Sequence, residues 1–134
     1  MSISKGRPGR RKRASESDFE DWLHAEFAAR DTFTALILLV KISEPEITPL
    51  ASTFLNILGD DVTWPQMAAL LAGSGHPWDG AAFIPVDGPL PNPEARSQLR
   101  ALEARVREDR LVLNEGQMFD LWGRRLKVEE VPTH

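Results

Sequence analysis

A chain of 134 residues has room for one hydrophobic core and not two. Hydrophobic residues make up 42% and charged residues 27%, ordinary for a globular protein and too apolar for one disordered throughout. There is no cysteine, which excludes structural disulfides, thiolate metal sites and thiol catalysis and agrees with a reducing compartment.

The net charge of −4 conceals a strong asymmetry. Residues 1–13 carry Lys5, Arg7, Arg10, Arg11, Lys12 and Arg13 and no acid, a charge of +6; the remainder holds the other 10 basic residues against all 20 acidic ones, −10. Such a split suggests an arm that seeks a polyanion or an acidic surface. Residues 1–14 also contain two glycines, a proline and little to bury, so they are expected to be disordered ahead of a folded body at 17–131. The basic N-terminus is followed by polar and acidic residues 15–21, not by the apolar core of a signal peptide. The longest apolar run, Ala35–Val40, is far shorter than the ~20 residues a bilayer span needs. A cytoplasmic protein with no membrane partner is expected.

Ser17 and Glu20 form an S-x-x-E capping box, with Asp18 and Asp21 at the positive end of the helix dipole and Phe19, Leu23 and Phe27 on one face. Phe33–Ile42 is almost wholly apolar, compatible with a buried helix end or a buried strand; with no turn residue before Ser43, helix is favoured, and Pro45 stops it. Thr48-Pro49 reads as a helix start, predicting a short helix to about Leu58 that buries Leu50, Phe54 and Leu58 and ends at Gly59. Thr63 with Gln66 makes a second capping box, opening a helix to Ala72 with Met67, Leu70 and Leu71 inward and Gly73 as its cap.

Residues 73–92 are rich in glycine and proline. Ala81–Val86 is their one strand-like stretch, an edge strand at best because of Pro85. Asn92-Pro93 caps the clearest helix, whose stripe is Ala95, Leu99, Leu102 and Val106. The end of the chain reads as β: Leu111–Asn114, a turn at 114–116, Met118–Trp122, a two-residue turn at Gly123-Arg124, and Arg125–Val131. The expected fold is a small α+β domain with helices leading and an antiparallel hairpin closing.

Within the arm, Lys5-Gly6-Arg7-Pro8 resembles the Gly-Arg-Pro core of an AT-hook. The resemblance implies an extended segment in the narrow minor groove of A·T-rich DNA, with Arg7 in the groove and the other cations on phosphates. A topological resemblance to a winged helix implies helix 93–109 in a major groove and the hairpin as wing. In that case Arg96, Arg100 and Arg107 with Arg124, Arg125 and Lys127 form a secondary basic surface, although Glu94, Glu103, Glu108 and Asp109 dilute its field.

Three sparser patterns complete the reading. His76 and Asp79, beside Trp78 in a glycine-rich loop, have the chemistry for acid–base work, but glycines and a tryptophan there more commonly make turns and plug a core. Glu20 and His24 stand at i,i+4, a surface pair with no third ligand for a metal. The tryptophans at 22, 64, 78 and 122 are spread like core anchors; several exposed together would instead mark a protein-binding surface. The sequence therefore predicts a non-enzymatic binding protein without metal or cofactor. Its arm contacts DNA or RNA; the alternative is a protein-interaction or regulatory module using an acidic or Trp-containing surface. Oligomeric state is left open.

Overall fold

Residues 17–43 and 46–128 are described by a computed structural model. The basic arm at 1–14 and the last residues of the expected final strand, 129–131, lie outside the described residues. The architecture is α+β: helix α1 (Asp18–Arg30), strands β1 (Phe33–Ser43) and β2 (Glu46–Ile57), helix α2 (Trp64–Ala72), strand β3 (Gly80–Asp87), helix α3 (Asn92–Glu108), a 3-10 segment (Arg110–Glu115), and strands β4 (Gln117–Asp120) and β5 (Arg125–Leu126). The strands form one antiparallel sheet in the order β2-β1-β3-β4-β5.

The apolar run favoured as a helix is strand β1, because it feeds two cores at once. Phe33, Ala35, Ile37 and Leu39 project into a layer built by Phe19, Trp22 and Leu23 of α1 and Trp64, Met67 and Leu71 of α2. Leu36, Leu38 and Val40 project the other way, onto Leu99, Leu102 and Val106 of α3. A strand covered on both faces reads as a continuous apolar run, without the alternation that betrays a half-buried one.

The helix expected at 49–58 is likewise a strand. Residues 46–57 fold back on β1 from Ser43↔Glu46 to Phe33↔Ile57. Pro49 is tolerated because β2 lies at the sheet edge and because the register shifts there: Leu39 pairs with Ala51 and Val40 with Pro49, leaving Leu50 as a bulge. Leu58, expected inside, is 68% exposed. Pro85 was expected to hold its strand at an edge, yet β3 is internal. Its pairing with β4 covers only Gly80–Phe83, so around Pro85 the strand has β1 alone as neighbour and a missing N–H is affordable.

Residues 111–114 wind into the 3-10 segment, where the Asp109 carboxylate accepts the Leu111 N–H at 3.0 Å. The last turn is three residues, Leu121–Gly123, closed by the Asp120 N–H donating to the Arg124 carbonyl. Gly123 supplies the positive φ of 78° that such a loop demands. Strands thus follow α1 directly instead of closing the chain after a run of helices. Helix α3 spends its apolar stripe on the sheet and the hairpin forms the sheet's far edge, so the winged-helix arrangement is not seen.

The α1–α2 side is held by aromatic packing. Phe19 stands 5.2 Å from Trp64, 5.3 Å from Phe83 and 5.4 Å from Phe119, centroid to centroid. Trp22, Trp64 and Trp78 are buried as core anchors, whereas Trp122 is 67% exposed in the hairpin turn under the Arg124 guanidinium.

Candidate functional site

Between Glu46 and Asp79 the sequence holds two charged residues, Asp60 and Asp61, in a chain where 27% of residues are charged. The fold gathers this neutral stretch onto one side of the molecule, because it consists of edge strand β2 and the helix α2 that stands over it.

Strand β2 is twelve residues long and, among the described residues, pairs on one side only, so its other side presents backbone N–H and C=O groups along an open edge. Natural edges of this length are usually blunted by charge, proline or a bulge. Here Pro49 and the bulge at Leu50 protect the first half, while Ala51–Ile57 carries no charge, proline or glycine.

Clefts flank this edge on both faces. On the α2 side, about 290 Å³ of open space lies between β2 and the helix, bounded by Ala51, Thr53, Leu55, Leu70, Leu71 and Gly73 among other neutral residues. On the α3 side a cleft of about 160 Å³ runs past Leu50 and Ser52 to Glu103 and Arg107. There the Ser52 hydroxyl donates to the Glu103 carboxylate. Helix α2 therefore stands back from the edge, whereas α3 reaches it through Glu103. An added strand would place alternate side chains into a neutral cleft and a charged one.

Helix α2 completes the face. Met67 and Leu71 are buried, but Leu70, expected inside, is 56% exposed at the mouth of the cleft. Its outer side continues through Pro65, Gln66, Ala69 and Ala72, all exposed and none charged. The helix is set firmly. Thr63 and Gln66 form the expected capping box, and the buried Glu20 carboxylate accepts the Trp64 N–H at 2.7 Å.

The residues singled out from sequence fall elsewhere. Lys5, Arg7, Arg10, Arg11, Lys12 and Arg13 lie outside the described residues. Arg96, Arg100 and Arg107 are exposed on α3, which covers one face of the sheet. Arg124 pairs with Asp120 at 2.9 Å, and the Arg125 N–H donates to the Asp18 carboxylate at the start of α1, on the opposite face. The two arginine groups are thus not brought together, and Lys127 is exposed beyond them at the β5 edge.

His76 lies exposed in a turn, while the Asp79 carboxylate accepts the Ile42 N–H at 2.9 Å and sits 3.6 Å from the Lys41 ammonium. Glu20 turns inward to Trp64, whereas His24 pairs with Asp60 at 3.0 Å, so the i,i+4 pair does not converge. Among the described residues no three His, Asp or Glu side chains form a metal-holding group, and no helix is long and apolar enough to cross a membrane.

Comparison with protein-family models, with curated proteins and with solved structures found no match to this chain. The β2–α2 face does not exist if residues 49–58 form a helix, as the sequence predicts. The signal that would have found it is the charge-free run itself.

Proposed function

We propose that this protein is a binding module whose folded body captures another polypeptide at the β2–α2 face. The observation that carries the reading is the coincidence of an uncharged, unpaired edge at Ala51–Ile57 with a neutral cleft and the exposed Leu70 beside it. Strand addition uses such a site economically: backbone hydrogen bonds supply affinity and the flanking clefts read alternate side chains. This surface differs from the acidic or Trp-containing one that the sequence offered as an alternative, and the burial of three of the four tryptophans weighs against a tryptophan patch.

A photocrosslinking amino acid placed at Thr53 or at Leu70 in the full chain, in the cells that make it, tests the reading. Adducts of any mass from these two positions, absent from a control position at Arg96, are the expected outcome. Equal yields from all three would overturn it.

A second reading concerns the arm. The net charge of −10 on the body disfavours a polyanion, so this reading assigns contact with DNA or RNA to the six cations at Lys5, Arg7, Arg10, Arg11, Lys12 and Arg13. The charge segregation favours this reading, in which the arm tethers nucleic acid while the β2–α2 face holds protein.

A further inference from the structure

We infer that the occupant of the β2–α2 face is a second copy of this chain, its β2 laid antiparallel against the first β2 across a two-fold axis within Ala51–Ile57. The inference rests on the docking reading above and names its partner. Two five-stranded sheets then become one continuous sheet of ten strands.

Charge makes the first argument. Outside residues 1–13 each copy carries −10, so two bodies repel on most approaches. Between Ile47 and Trp78 the chain holds only Asp60 and Asp61, and both lie in the loop after β2, outside the paired segment. On the α2 side of a β2-to-β2 pair neutral residues meet neutral ones, and on the α3 side the nearby carboxylate, Glu103, is held by the Ser52 hydroxyl with Arg107 lining the same cleft.

Geometry makes the second. An antiparallel strand pair about a two-fold axis is isologous, so each donor and acceptor that one edge offers is met by its counterpart on the other. Residues directly opposite in an antiparallel pair share a face of the sheet. Ala51, Thr53 and Leu55, which point to the α2 layer, would meet the same set from the second copy beneath Leu70. Ser52 and Phe54 would meet their own kind on the α3 side. The bulge at Leu50 limits the pairing to the smooth seven residues beyond it. A heterologous strand would need a neutral sequence to match; the second copy already has one.

Sedimentation equilibrium of the full chain, from low micromolar to several hundred micromolar, tests the inference alongside Thr53→Lys, Leu70→Glu and the distant control Arg96→Glu. A reversible dimer is expected. Each face variant should raise its dissociation constant at least about tenfold, and the control should leave it unchanged. Thermal midpoints measured together confirm that the variants are folded. A monomer at every concentration overturns the inference, as does a dimer indifferent to Thr53→Lys and Leu70→Glu. Crosslinked adducts at Thr53 whose mass is never twice that of the chain also overturn it, yet they leave the docking reading standing. Loss of both the dimer and the position-specific adducts removes both.

Discussion

The carboxylate of Glu20 on α1 accepts the backbone N–H of Trp64, the first residue of α2, at 2.7 Å across 44 residues of sequence. The first four N–H groups of a helix lack intrahelical partners. In α2, Thr63 takes one through the Gln66 N–H and Glu20 takes another, bringing a negative charge to the positive end of the helix. The same tryptophan donates its indole N–H to the Leu121 carbonyl at 2.9 Å and supports Gly123 against its ring. Helix α1, helix α2 and the β4–β5 hairpin thus converge on Trp64. Because α2 forms one wall of the cleft beside β2, this junction fixes the width of the candidate site.

Replacing Glu20 should loosen that junction. Glu20→Ala leaves the Trp64 N–H without its acceptor in a buried place, at a cost of about 1–3 kcal/mol. Glu20→Gln keeps a neutral carbonyl acceptor and should cost less. Urea unfolding of both variants measures the difference, and equal midpoints for Glu20→Ala and the parent would show that the bond contributes nothing.

Two glycines share a φ of 78° but not their surroundings, which separates backbone strain from crowding. A Cβ added at Gly75 meets nothing within 4 Å, so Gly75→Ala should cost about 1 kcal/mol from the left-handed backbone alone. At Gly123 the added carbon would stand 2.6 Å from the Trp64 ring and 3.0 Å from Ser17 Cβ. Overpacking adds about 1–3 kcal/mol there. Gly123→Ala should therefore be the more damaging substitution by denaturant midpoint; the reverse order would contradict the described turn.

Helix starts were legible only in part: Ser17 accepts the Glu20 N–H but the Glu20 carboxylate turns to Trp64, and the N-cap of α3 is Pro91 and not Asn92. The capping box at Thr63 with Gln66 and the stripe Ala95, Leu99, Leu102 and Val106 both stand as expected. The two long strands were not legible, for different reasons. Strand β1 is covered on both faces, which erases its period of two, and Phe33–Ile42 then reads like a buried helix. Strand β2 mimics a helix start with Thr48-Pro49, and only its position at the sheet edge makes that proline acceptable. The β2–α2 face was not legible without β2, since an open edge exists only relative to the rest of a sheet.

A buried threonine ties this edge to the chain that follows β3. The Thr34 hydroxyl, fully buried, donates to the Asn56 side-chain carbonyl at 2.6 Å and accepts the Leu90 N–H at 2.9 Å, while the Asn56 amide donates to the Leu90 carbonyl at 3.4 Å. Thr34→Val removes both hydroxyl bonds and should cost about 1–3 kcal/mol. Asn56→Ala removes the acceptor on β2. Since both act in one network, the double variant should be destabilised by less than the sum of the singles. Strict additivity in a double-mutant cycle would mean that the network is not a unit.

The arm gives a salt-dependence prediction. Six cations neutralising six phosphates give a slope of about −5 in log affinity against log salt, a loss of roughly a thousandfold between 50 and 200 mM. The full chain should show this with duplex DNA, and a chain lacking residues 1–13 should not bind, since the −10 remainder repels it. Retained binding after the deletion would transfer the contact to the folded body.

Neighbouring leucines on α2 separate face from core. Leu71 is 3% exposed and packs among Trp64, Met67 and Leu39, so Leu71→Ala should cost about 2–5 kcal/mol, the transfer energy plus that of the cavity left behind. Leu70, one residue earlier, is 56% exposed, and Leu70→Ala gives up mainly contact with solvent. Its cost should stay within about 0.5 kcal/mol, the range of ordinary surface positions. In the docking reading this exposed leucine is a contact for the partner, so its substitution should weaken binding and leave folding intact. If Leu70→Ala instead unfolds the protein as readily as Leu71→Ala, α2 is rotated inward, the cleft beside β2 closes, and the open face disappears with it.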